Sequence, residues 1–87
     1  MLGQRGIMRE KLVKLYGYLL NNQYIHDASI VEALLTELDQ KNGLADASKE
    51  RLSSMCSPRY LGDLHIEEFP DPYMWWNFLG EIKAAIE

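Results

Sequence analysis

The chain is expected to be all-α: a compact bundle of four short helices, with a fifth short turn after Pro58 and an extended acidic connector before the last helix. Three observations predict it. Apolar residues recur at spacings of three and four in separate stretches, the period of a helix face. Residues that start or stop helices bracket those stretches. The one segment with rough alternation, 63–69, has no partner strand elsewhere in the sequence. With 87 residues, 47% of them hydrophobic and 25% charged, the chain has the length of one domain and an ordinary globular composition.

The first helix is expected over about Ile7 to Asn21, with Met8, Leu12, Leu15, Tyr16, Leu19 and Leu20 on one face and Lys11 and Lys14 on the polar side. Residues 1–6 read as a flexible leader, which leaves 7–87 as the folded domain. Gly17 interrupts the helix and offers room for another backbone to come close. Asn21-Asn22-Gln23 reads as the stop, because short amides compete for backbone hydrogen bonds. Asp27 or Ser29 is the expected cap of the second helix, with Glu32 completing a capping box. Its stripe is Ile30, Val31, Leu34, Leu35 and Leu38; Glu37 and Lys41 form an i,i+4 pair, and Asn42-Gly43 ends it with glycine in the left-handed region. A third helix from Asp46 or Ser48 carries Leu52, Met55 and Cys56 inward and must stop near Ser57, since Pro58 disfavours helix at the residue before it. Ser57-Pro58 is also suited to cap a short turn through Tyr60 and Leu61, closed by Gly62. The last helix opens at Asp71-Pro72, a cap followed by proline, and turns Trp75, Leu79, Ile82 and Ile86 inward with Phe78 beside them.

Composition and motifs narrow the chemistry. One cysteine, Cys56, permits no internal disulfide, and the first residues lack the apolar stretch of a secretory signal, so a cytoplasmic protein is expected. No apolar run approaches the ~20 residues of a membrane span. Two scattered histidines, His26 and His65, with that single cysteine lack the clustering of a metal site. The sequence has no Gly-rich phosphate loop, no Ser-centred elbow and no dinucleotide fingerprint. The reading is therefore a non-enzyme with no cofactor and no metal. A helix-turn-helix-like nucleic-acid-binding regulator is the less favoured alternative, because the second helix holds Glu32, Glu37 and Asp39 against Lys41 and the net charge is −4.

Two features point to protein–protein recognition. Five of the nine aromatic residues, Phe69, Tyr73, Trp75, Trp76 and Phe78, fall within ten positions. If Trp75 faces the core, Trp76 is turned about 100° away, so it either covers the core edge with its indole N–H in water or anchors a partner. Residues 63–71 also carry four carboxylates, Asp63, Glu67, Glu68 and Asp71, with no lysine or arginine among them; the other nine acids balance the nine bases. The expected partner-binding set is thus Asp63, Glu67, Glu68, Asp71, Tyr73 and Trp76, suited to a basic protein that an inhibitor, immunity or antitoxin-type protein would mask. The alternative is a homo-oligomeric structural or adaptor subunit, paired through the last helix at Gly80, Ala84 and Ala85, with the basic first helix (Arg5, Arg9, Lys11, Lys14) attracted to the acidic connector.

Overall fold

The computed structural model describes residues 3–57 and 59–86. They form four helices, α1 (Gly3–Asn21), α2 (Ile25–Lys41), α3 (Asp46–Met55) and α4 (Pro72–Ile86), with a 3-10 turn at Leu61–Asp63 and no strand. The protein is an all-α bundle. Helix α1 packs chiefly on α2, and α4 lies against α1, α3 and the 3-10 turn. Helix α1 starts four residues ahead of the expected Ile7, so residues 3–6 of the expected leader continue it.

The core follows the helical stripes. Leu12, Leu15 and Leu19 of α1, Val31, Leu34 and Leu38 of α2, Leu52 and Met55 of α3, and Trp75, Leu79 and Ile82 of α4 are buried, and Leu61 and Ile66 join them from the connector. Each such side chain contributes roughly 1.5–3 kcal/mol by leaving water. Leu20 departs from the expected face and is 41% exposed. It sits one residue, about 100°, beyond the stripe that Leu19 defines. Tyr18 is recruited on the flank instead, its ring meeting Phe69 and Phe78 edge-on at 5.1 and 5.5 Å. Gly17 also departs from expectation: a Cβ there would meet nothing within 4 Å, so no backbone uses the space.

The first corner is set by backbone geometry that the side-chain signals did not reveal. Gln23 adopts φ 69°, the Tyr24 N–H donates to the Leu19 carbonyl at 2.8 Å, and the Gln23 N–H donates to Leu20 at 3.1 Å. This is the six-to-one and five-to-two pairing that closes a helix through a left-handed residue. The chain leaves that turn already poised for α2, which begins at Ile25. Asp27 and Ser29 therefore lie inside the helix rather than capping it. Glycine is the residue best suited to the conformation of Gln23. Gln23→Gly is expected to stabilise the fold by about 0.5–1 kcal/mol, raising Tm by about 2–8 °C in a thermal melt.

The second corner differs from expectation in a similar way. Asn42, not Gly43, takes the left-handed conformation, with φ 58°. The Glu37 carboxylate accepts the Ala45 N–H and the Ser48 hydroxyl, both at 2.7 Å, stronger partners than Lys41, which favours it only weakly. A residue of α2 thereby caps α3, whose own N-cap, Ala45, has no side-chain acceptor. The Ala45 N–H, and after it the Ser48 hydroxyl, hold the Glu37 carboxyl below its ordinary value of 4.5. A depressed folded-state pKa contributes stability that is present above the unfolded value and lost as pH falls through the folded one. Glu37→Gln should be less stable than wild type at neutral pH, with the gap narrowing below about pH 4.5 in urea unfolding across pH.

Beyond α3, the Ser57 carbonyl accepts the N–H groups of Tyr60 and Gly62, both at 3.1 Å, which winds the chain into the 3-10 turn. The expected turn after Ser57 is present at residues 59–60, but it runs on into the 3-10 turn over Leu61–Asp63, with Gly62 inside it rather than closing it; Pro58 itself lies outside the described residues. The connector is extended at Leu64 and bends where the Phe69 N–H reaches the Ile66 carbonyl at 3.0 Å. As expected, Asp71 caps α4: its carboxylate accepts the Tyr73 N–H at 2.9 Å, with Pro72 at the first helical position.

Candidate functional site

The start of α4 divides four bulky side chains between interior and surface. Trp75 is 2% exposed, and its indole N–H donates to the Leu61 carbonyl at 2.7 Å. The Trp76 indole N–H donates to the next carbonyl, Gly62, at 2.8 Å, so it is bonded within the protein rather than to water. Its ring rests on the 3-10 turn so closely that a Cβ at residue 62 would lie 3.1 Å from Nε1 and 3.2 Å from Cδ1. Glycine at 62 is what lets the ring settle there. Trp76 nevertheless remains 40% exposed, Met74 53% and Tyr73 68%. Tyr73 and Trp76 meet at 5.3 Å between ring centroids, nearly perpendicular at 88°, one turn apart on the helix.

The acidic residues divide into two groups. Asp63 directly follows Gly62 and is exposed, and Asp71 precedes Pro72, so both flank the segments that carry the aromatic pair. Glu67 and Glu68 are instead tied to the corner between α1 and α2. The Glu68 carboxylate accepts the Asn22 amide at 2.8 Å and the Asn21 amide at 3.4 Å, and chiefly the Asn22 bond holds its pKa below the ordinary value. The Glu67 N–H donates to Asn22 Oδ1 at 3.0 Å. The Tyr24 hydroxyl secures the same segment by bonding both the carbonyl and the N–H of His65, at 3.0 and 3.1 Å. Asn21, Asn22, Tyr24, His65 and Glu67 line a shallow polar depression of about 280 Å³ there.

The bases of α1 are largely engaged within the chain. Arg9 pairs with Asp39 of α2 through two bonds of 2.8 and 3.3 Å, Lys11 with Glu81 of α4 at 2.7 Å, and Lys14 with Glu10 at 3.4 Å. Cys56 is buried, and burial pushes its thiol up to about 12 against the opposing pull of Lys83. At neutral pH it stays protonated and a poor nucleophile. A second groove, about 380 Å³ with Ile30, Ala33 and Leu34 among its lining residues, runs between α2 and α3 beside His26 and Arg51. Among the described residues, no group of three or more His, Cys, Asp or Glu side chains is placed to hold a metal ion. None of the described helices is long and apolar enough to cross a membrane.

Two residues of the aromatic face were not singled out from sequence. Met74 carries no periodic signal, standing one place before the buried Trp75. Gly62 reads as a turn residue; its role under Trp76 depends on packing between segments fourteen residues apart. No family model, no curated protein and no solved structure matches this chain.

Proposed function

We propose that the protein acts by binding a basic protein partner, without chemistry of its own, through the aromatic pair Tyr73 and Trp76 rimmed by Asp63 and Asp71. The observation that carries this reading is the exposure of both rings while the Trp76 ring is held from below and Tyr73 meets it edge to face. The Gly62 carbonyl fixes the Trp76 indole, so little side-chain freedom remains to be lost on association. Rigid aromatic anchors with a charged rim have the make-up of interface hot spots. Glu67 and Glu68, placed at the α1–α2 corner, extend the negative field that would steer a cationic partner inward. A masking role of the inhibitor, immunity or antitoxin kind in the cytoplasm fits this chemistry. The pairing of Arg9, Lys11 and Lys14 with carboxylates argues against α1 as a phosphate-binding face, since such a face needs uncommitted cations.

A second reading has its own support. Gly80 and Ala84 are exposed on α4, and a Cβ at Gly80 would meet nothing within 4 Å, so a second copy has room to lay its own helix there. Affinity capture from the native host, with wild type and Tyr73→Ala as parallel baits, tests the first reading. A basic protein retained by wild type alone is the expected outcome. Identical recoveries from both baits, together with a sedimentation profile that grows heavier with concentration, would favour the homo-oligomer.

A further inference from the structure

We infer that the Tyr73–Trp76 corner is a seat for the guanidinium of an arginine side chain from the partner, with Asp63 and Asp71 as its counter-charges. This rests on the proposed partner-binding role and names the group recognised. The two rings meet edge to face, 88° apart with centroids 5.3 Å from each other. The ring that meets its neighbour by the edge therefore does not have its own faces covered by that neighbour, and a cation laid on such a face beside the second ring is attracted by its π electrons. Arginine suits the corner better than lysine, because its planar head stacks on one ring while its N–H groups reach sideways to a carboxylate. Two carboxylates adjoin the pair along the chain, Asp63 next to Gly62, whose carbonyl holds the Trp76 indole, and Asp71, which caps the Tyr73 N–H. Asp63 takes part in no ion pair or side-chain hydrogen bond among the described residues, and Asp71 uses one oxygen for the Tyr73 N–H. Among the described residues no ion pair lies at the seat: those present are on α1 with α2 and α4 and within α1.

The experiment is a titration of the full chain with two capped pentapeptides, one with arginine at its centre and one with citrulline, which keeps the shape but not the charge. Ring and indole resonances of Tyr73 and Trp76 are followed by NMR. The arginine peptide should give saturable shifts at both rings, with about tenfold weaker binding for the citrulline peptide and no saturable response in Tyr73→Leu. Equal binding of the two peptides would overturn the guanidinium seat while leaving an aromatic protein-binding face intact. Absence of any saturable shift would overturn the seat, and the capture experiment then decides separately whether the face binds protein at all. Ring shifts that depend on protein concentration without peptide would overturn it in favour of a second copy of the chain.

Discussion

Tyr73→Ala should weaken partner binding by about 2 kcal/mol, roughly thirtyfold in Kd, while changing folding stability by no more than about 0.5 kcal/mol. The separation follows from what Tyr73 touches. It is 68% exposed, its backbone N–H rather than its ring receives the Asp71 cap, and among the described residues its ring pairs with one other aromatic, Trp76. Trp76→Ala lacks this clean separation, because it also strips the Gly62 carbonyl of its donor and uncovers the 3-10 turn. It should lose comparable affinity and, in addition, about 1 kcal/mol of stability. Calorimetric titration against the captured partner and urea unfolding of the free protein read the two quantities independently. A Tyr73→Ala variant that binds as wild type does would remove the aromatic corner from the function. One that loses several kcal/mol of stability would make Tyr73 a structural residue.

The helices were largely legible because their signals are local. The stripes at 8/12/15/19, 31/34/38 and 75/79/82 need only the helical period, and the Asp71-Pro72 start of α4 needs only two adjacent residues. What escaped depends on distant parts of the chain. Ala45 gives no sign that its cap comes from Glu37. Asp27 and Ser29 look like caps until Gln23 turns left-handed and starts the helix earlier. The acidic segment reads as one patch in one dimension. In three dimensions Asn21 and Asn22, themselves expected only to stop a helix, draw Glu68 to the other corner. The candidate site was therefore half legible: Tyr73 and Trp76 from aromatic density and helix angle, Asp63 and Asp71 from charge. Gly62, which orients the ring, emerged only from the packed structure.

Trp75→Ala is expected to cost about 3–5 kcal/mol of folding stability, most of what a domain this small has available. Trp75 is the largest side chain fully enclosed by the fold, and it packs with Tyr18, Phe69 and Phe78 at centroid distances of 5.5–6.3 Å. Its indole N–H also reaches the Leu61 carbonyl, so one side chain joins α4 to α1, to the connector and to the 3-10 turn. Because the alanine variant is close to unfolding, Trp75→Phe separates the contributions. Phenylalanine keeps an aromatic ring in the cluster but removes the indole bond to the Leu61 carbonyl, which retains the Leu64 N–H at 3.1 Å, so the lost bond itself costs about 0.5–1.5 kcal/mol. The loss should appear in urea unfolding as a lower midpoint at unchanged slope. Trp76→Phe should cost less, because the Trp76 ring is 40% exposed, so no enclosed cavity is left and water can replace the donor. If Trp75→Phe and Trp76→Phe proved equally mild, the Leu61 bond would not be what seats α4. The aromatic corner would then owe its position to packing alone.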